Sequence, residues 1–438
     1  MTEIYTEFIR QASQELAQLL LSDLPAEQLA QVHYKDQEAK AVLTMVGQEA
    51  MRAVFSALAE RVTEEAKSEG FTVERRPRIR VDLLFGAIEI ESPYLWRKGE
   101  GRRPVKERLK IEHATRTPAV ERALSDFGAE ESFAQAAVRF SEHYGFEIGS
   151  SNLGRVVAEV AEAAESYLAE KLKAAESESE QSAAVRRGVS ELLVELDGCE
   201  IRTVKCETVR DAPTKKIIAR RRELEWREVR VGLAGRIGST QRTFVARLGS
   251  YTEVGQELFR AAIVEGWSPQ TKVIGVADGG LGLREELAVH FPKLQFILDH
   301  SHLVSHLYET AEALKYEGAP RESWVRKKLE QISAGGVQKV LRELQRTAKS
   351  CDRAGRLRAY LERFQDAVWY DHFKAEGYPI GSGEIESAHR YIPPKRLKIA
   401  GASWKPETIN KMLALRVIRA NDWWKEFWQQ RQLKFLAA

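Results

Sequence analysis

The spacing of apolar positions changes several times along this chain, and each change marks a different kind of element. Over the first 70 residues apolar side chains recur at three and four, as in MTEIYTEFIRQASQELAQLL, which predicts amphipathic helix. Residues 71–115 shift to a β-rich segment dense in arginine and lysine. Helical spacing returns over 116–180, where Thr117 can cap with Pro118 in the first turn, Ser132 and Gln135 form a capping box, and Gly145 can end a helix. SFAQAAVRFSEHYG, the turn FEIGSS and NLGRVVAEVAEAAESYLAEKL have the length and punctuation of a helix-turn-helix, although an ordinary core hairpin reads the same way. ESESEQSA follows as a polar linker.

From about residue 188 the runs ELLVEL, IRTVK, WREVRVGLAG and RTFVARL read as strands, followed by a helix around GQELFRAAIVEG. TKVIGVADGG is a nearly continuous β-branched run, suited to an inner strand covered on both faces. Antiparallel strands followed by strand–helix alternation describe a mixed α/β sheet of ribonuclease-H-like type. The catalytic domain then comprises residues 188–299 and 379–438, with an all-helical insertion over 300–378 and a mostly helical DNA-binding region ahead of it. PETINKMLALRVIRANDWWKEFWQQ reads as a final amphipathic helix whose Trp423, Trp424, Phe427 and Trp428 belong to core or interface.

A chain of 438 residues with 43% hydrophobic and 30% charged residues is globular, and too long for a single core. No apolar run approaches the roughly 20 residues that span a bilayer, and acids from the first turn argue against a secretory leader. Cys199, Cys206 and Cys351 make neither a disulfide framework nor a CxxC pair, so a reducing cytoplasm, beside the nucleoid, is the expected setting. The net charge of +3 is mild, but the cations cluster. Arg75, Arg76, Arg78 and Arg80 begin one cluster, Trp96 to Lys110 holds another, and Lys215, Lys216, Arg220, Arg221 and Arg222 make a third. Arg390, Lys395, Arg396 and Lys398 form a fourth. Each phosphate that such groups neutralise releases counterions, so DNA bound through them weakens steeply with salt.

Three acids carry the candidate chemistry. Asp197 lies in an alternating strand with Glu195 on the same polar face, and Asp278 sits at the carboxyl end of the inner strand, followed by two glycines and a helix. Glu386 lies in YPIGSGEIESAHRYI, where Ser382 can begin a helix and Arg390 falls one turn on. Three converging carboxylates repel unless cations hold them, and hard oxygen ligands suit Mg²⁺ or Mn²⁺. Two such ions about 3.5–4 Å apart stabilise both the attacking and the leaving oxygen of a phosphodiester displacement. Asp299 and His302 are given a supporting role, ordering the Asp278 loop. His302 and His306 have zinc-compatible spacing but neither HExxH nor a third ligand. ADGGLGLREE lacks a nucleotide-binding pattern, and GSG lacks the flanks of a nucleophile elbow.

VELDGCEIR, GVADGG, LDHSHLVSHL, YPIGSGEIESAHRYIPPKRLKIAGASW and LALRVIRAN with WWKEFW resemble, in order, the blocks of bacterial insertion-sequence DDE transposases of the Kra type, allied to the Mutator-like group. The resemblance covers about residues 115–430. It implies that Asp197, Asp278 and Glu386 bind two divalent metals, with Asp299 and His302 in the block behind them. It also implies double-stranded DNA, element terminal inverted repeats and target, as the partner, and a homo-oligomer that pairs two ends. Two departures stand out: SPYLWRKGEGRRP has no cysteine where family members often show CxxC-like spacing, and Glu384 precedes Glu386 as a second acid for the third ligand position.

The expected function is therefore metal-dependent cleavage and strand transfer of DNA; a nuclease of the same fold and a non-catalytic DNA-binding protein are the alternatives. Ser151, Asn152 and Arg155 are expected to contact end DNA through the helix-turn-helix, with Arg390, Lys395, Arg396 and Lys398 contacting it near Glu386. Arg155→Ala should weaken binding to end DNA in a gel-shift assay while helicity is kept; unchanged affinity removes that assignment.

Overall fold

In the computed structural model, which describes residues 3–25, 27–111, 116–182, 188–210, 214 and 217–437, the N-terminal helical spacing becomes α1 (Glu3–Ser22) and α2 (Lys35–Ser68), with a 3-10 turn at Leu29–Tyr34 between them. Contacts divide the chain into two units: residues 1–128 with 133–156, and residues 129–132 with 157–438. The first unit holds an antiparallel hairpin of β2 (Arg78–Leu83) and β3 (Gly86–Glu91). Beside it, β1 (Thr72–Arg75), β4 (Tyr94–Arg97) and β5 (Glu100–Arg102) form a three-stranded sheet in the order β1-β4-β5. Val81, Leu83, Ile88 and Ile90 alternate inward to meet Ala59 of α2 with Val105 and Ile111.

The arginines of this segment are less open than the sequence suggests. Arg76 meets Glu91 at 3.0 Å, Arg80 meets Asp82 at 2.8 Å and Arg102 meets Glu100 at 2.8 Å. The Arg97 and Arg102 guanidiniums also lie 4.3 and 5.0 Å from the Phe71 ring centre.

The unit continues with α3 (Pro104–Arg108), α4 (Pro118–Gly128), α5 (Phe133–Tyr144) and the first turns of α6 (Ser150–Ser182). The start of α5 and the first turns of α6 pack closely, since a Cβ on Gly154 would lie 3.0 Å from the Phe133 ring. The expected linker ESESEQSA is helical as far as Ser182. It contains no Gly or Pro to stop a helix, and its Glu and Gln residues sustain one.

In the second unit, β6 (Glu191–Arg210), β7 (Ile217–Arg236) and β8 (Thr243–Leu248) run antiparallel, α7 (Tyr251–Val264) crosses over, and β9 (Lys272–Ala277) returns parallel to β6. After α8 (Leu283–His290), β10 (Leu294–Leu298) lies parallel to β9, giving the order β10-β9-β6-β7-β8. Val273, Ile274, Val276 and Ala277 are all buried, as an inner strand requires. The runs ELLVEL and IRTVK form one strand, because DGCE between them pairs with β7 through Asp197↔Val231 and Cys199↔Val229.

Both sheet edges are closed by side chains or loops. Asn410 and Asn421 bond the backbone of Leu248 and Phe244 on β8, the Leu248 N–H at 2.7 Å and the Phe244 N–H at 2.7 Å. On β10, the Leu298 N–H donates to the Ala367 carbonyl at 2.9 Å. Between Asp299 and Tyr378 come α9 (His300–Ala313), α10 (Gly318–Ser333), α11 (Val337–Thr347), α12 (Asp352–Arg363) and α13 (Tyr370–Ala375). The chain ends in α14 (Gly383–Tyr391), α15 (Pro394–Leu397), α16 (Pro406–Ala420) and α17 (Trp424–Ala437). The single final helix that the sequence suggests is two, because Asp422 adopts a left-handed φ of 57° after α16. Phe427 and Trp428 are buried, with Phe427 edge-on to Tyr167 of α6 at 5.4 Å.

Arg416 of α16 is 4% exposed and donates to the carbonyls of Ala129, Tyr391 and Ile392 and to the Glu130 carboxylate. Lys395 meets the other Glu130 oxygen at 2.5 Å. Burial pushes the Glu130 carboxyl up, but the Lys395 hydrogen bond and the Arg416 charge outweigh it and hold it below its ordinary value of 4.5. A depressed carboxylate stabilises the fold above its unfolded pKa and loses that contribution as pH falls through the folded one. Glu130→Gln should therefore lower the melting temperature at neutral pH, with the gap to the parent closing as the pH falls below that value; a gap that persists in acid contradicts the ion pairing.

Candidate functional site

The parallel register of β6, β9 and β10 decides where the acids stand. Glu195 pairs with Val276, and Leu298 pairs with Ala277. Carried one or two positions further, the same register would bring Asp278, just past the end of β9, level with Asp197, which lies within β6, and Asp299, just past the end of β10, level with Asp278. The Asp299 N–H donates to the Ala277 carbonyl at 2.9 Å, so the register holds at that edge.

Each of these carboxylates has different surroundings. One Asp197 oxygen accepts its neighbour's Gly198 N–H at 2.7 Å, and the other lies 3.4 Å from His389 Nε2. Asp278 is half-buried and accepts the Gly280 N–H at 2.9 Å. Tyr360 of α12 stands close to that loop; burial first, then the Asp278 charge, raises its phenol above the usual range. Gly279 admits this approach only because it lacks a side chain, since a Cβ there would lie 2.2 Å from the Tyr360 ring. Burial and the Arg353 charge lower His306, and Asp278 opposes them.

Asp299 is 1% exposed and saturated with donors: Ser301 Oγ at 2.6 Å, the His302 N–H at 2.8 Å, and Ser382 N–H and Oγ at 2.6 and 2.7 Å. Its burial pushes the carboxyl up, yet these hydrogen bonds outweigh it and hold the group below the ordinary range. The expectation that Asp299 orders the Asp278 loop is corrected: its side chain caps α9 and ties it to the entry of α14. His302 takes part through its backbone N–H.

Helix α14 lies along β6, anchored at both ends. The Ile385 N–H donates to Glu195 Oε2 at 2.7 Å, and Glu195 Oε1 is buried without a hydrogen-bond partner. Burial pushes this carboxyl up to about 8 against the Ile385 bond. Arg242 grips both oxygens of Glu384, with Nη2 to Oε1 at 2.7 Å, and Arg416 takes the carbonyls of Tyr391 and Ile392 at the far end. Glu384 is therefore held toward Arg242, whereas the exposed carboxylate of Glu386 makes no hydrogen bond or ion pair among the described residues and acts on His389 through its charge.

His389, one turn after Glu386, escaped the sequence reading. Its two ring nitrogens are buried without hydrogen-bond partners, and burial holds the imidazole below its ordinary range despite the Asp197 and Glu386 charges. The three-residue spacing from Glu386 on a helix is the signal that could have found it. Glu195, Arg242 and Arg416 could not be given their anchoring roles from sequence, because their partners lie far along the chain.

Among the basic residues, Arg390 and Lys398 are exposed, and the Lys398 charge reaches His389 and Cys199. Lys395 is engaged with Glu130. Arg396 is corrected: it is 4% exposed and lies 4.7 Å from the Trp404 ring centre, withdrawn from any DNA. In the first unit Ser151 and Arg155 are exposed, with Arg155 bonded to Asn152 Oδ1 at 2.7 Å. Lys215 and Lys216 lie outside the described residues. Among the described residues no group of three or more His, Cys, Asp or Glu side chains is placed to hold a metal ion.

The pattern of the family described as Uncharacterised protein family (UPF0236) matches residues 30–432. No curated protein matches the chain. Among solved structures, the Drosophila P element transposase strand transfer complex aligns over 74% of this chain and 84% of its own at 11% identity, with a TM-score of 0.26, too low to carry an argument.

Gly279→Ala should cost roughly 1–3 kcal/mol in denaturant unfolding, because the added methyl meets the Tyr360 ring. In a Tyr360→Ala background the same change should cost much less. Equal losses in both backgrounds would show that the ring does not set the limit.

Proposed function

The chain belongs to the uncharacterised protein family UPF0236, and on that premise we propose that it is a DNA transposase of the Kra DDE type, which binds the ends of its own element and cuts and joins DNA with divalent metal ions. The observation that carries this reading is where the acids lie: Asp278 just past the end of β9, Asp197 within the neighbouring β6, and Glu386 on the helix laid along β6. The order β10-β9-β6-β7-β8, three strands antiparallel and two parallel, supports a ribonuclease-H-like catalytic domain.

The donor set fits Mg²⁺ or Mn²⁺. Mg²⁺ keeps several waters and takes one or two carboxylates together with substrate phosphates, so an open pair of acids suits it better than a closed protein cage. Asp197 and Asp278 would hold the ions with Glu386 as third ligand, and Glu384 is set aside because Arg242 occupies it. Two bound ions supply charge stabilisation at the attacking and leaving oxygens. The protein keeps the acids in place through the strand register and the anchored α14, and offers Arg390 and Lys398 as exposed cations for phosphate. A water attacks at the element end, and the freed 3′-hydroxyl then attacks target DNA, so no side-chain nucleophile is required. Pairing two ends calls for a homo-oligomer.

The test is excision from a plasmid carrying the gene's flanking DNA, in Mg²⁺ or Mn²⁺. Wild type should release product, and Asp278→Ala and Asp197→Ala should lower it at least ~100-fold while duplex binding persists. Cleavage without joining would indicate a nuclease, and tight binding with no product from wild type would indicate a non-catalytic binder; either overturns the proposal.

A further inference from the structure

The ribbon that β6 and β7 build beyond the sheet is longer than the carboxylate site requires. Strand β9 accompanies β6 only to Glu195 and β8 accompanies β7 only from Val229, yet β6 and β7 stay paired out to Arg210 and Ile217. The two faces of this extension differ in chemistry. On one, Glu225 is shared by Lys205 at 3.7 Å and Arg227 at 3.0 Å, so charge is balanced. On the other, Cys206 stands opposite Arg222, Val204 opposite Leu224 and Arg202 opposite Trp226. Leu224 and Trp226 are 57% and 60% exposed. Arg222, on this second face, is exposed and has no ion pair among the described residues, whereas Arg221 lies on the first face, opposite Glu207. In sequence, Arg210 to Arg222 holds Arg210, Lys215, Lys216, Arg220, Arg221 and Arg222 against one acid, Asp211.

We propose that this ribbon is a DNA-gripping arm, whose Arg222 contacts a phosphate about one helical turn from the cleaved bond and whose Trp226 and Leu224 lie against the duplex on the way there. The inference rests on the reading of the chain as a DNA-cutting enzyme and adds where the DNA runs. A second copy of this chain is a poor occupant, because a symmetric contact through the tips would set like charges together. A polyanion with apolar base and sugar edges matches both the cations and the exposed aromatic. Two-stranded β-ribbons of this kind are used to enter DNA grooves. The geometry also sets the reach. Cys206, the partner of Arg222, lies nine positions beyond Asp197 on the same strand. At about 3.3 Å per residue that is about 30 Å, close to the ~34 Å of one B-DNA turn.

The experiment uses the full chain and a labelled duplex of about four helical turns, taken from the DNA flanking the gene, with anisotropy read over a salt series. Arg222→Ala should flatten the log–log salt slope by about 0.9. Trp226→Ala should weaken binding at least ~5-fold with the slope unchanged. Trimming the duplex to end about 6 base pairs from the cleaved bond should weaken wild-type binding and leave Arg222→Ala almost unaffected. The substituted side chains are exposed, so circular dichroism and melting temperature should match wild type. Wild-type affinity and slope in both variants, with cleavage intact, would overturn the arm alone, as would a change in oligomeric state without a change in DNA affinity. A wild type that neither binds nor cleaves the duplex would overturn the proposed function with it.

Discussion

One buried carboxylate, Asp299, holds two parts of the site that are far apart in sequence. It caps α9 through the His302 N–H and takes both donors of Ser382, the residue from which α14 departs. Helix starts leave backbone N–H groups without partners, and hydrogen bonds to a buried charged acceptor are worth roughly 1.5–3 kcal/mol each. Asp299 thus joins the end of β10 to the beginning of the helix that carries Glu386. Without that tie α14 would keep Glu195 and Arg416 as anchors but lose its fixed starting point.

The remaining anchors extend the same logic. Glu195 reaches from β6 to the Ile385 N–H, Arg242 reaches from the β7–β8 turn to Glu384, and Arg416 holds the far end of α14. Each satisfies a group that would otherwise be buried or unpaired, and together they leave Glu386 and His389 facing the Asp197 strand. The sheet supplies the rest, since parallel pairing alone brings Asp197 and Asp278 to adjacent positions.

Much of this was legible in the chain. The inner strand over TKVIGVA, the strand-end position of Asp278 and the helix after Ser382 all follow from local spacing and capping. Local spacing could not show that Arg396 turns inward onto Trp404, that Asp299 serves Ser382 rather than the Asp278 loop, or that Arg76 is matched by Glu91. Those facts depend on partners fixed by tertiary packing, which charge counting along a sequence does not see. The break in the last helix also escaped, because the left-handed Asp422 is one residue within an otherwise periodic run. That Glu384 is paired while Glu386 is not depends on Arg242, more than a hundred residues earlier in the chain.

The central claim is that Asp197 of β6 and Asp278 just past β9 hold divalent metal, and Mn²⁺ binding measured by electron paramagnetic resonance on the duplex-bound protein tests it most directly. The account predicts bound Mn²⁺ in wild type, lost or greatly weakened in Asp197→Asn and Asp278→Asn, and little changed in Glu384→Gln. Equal Mn²⁺ binding in all of them, or none in wild type, would contradict it.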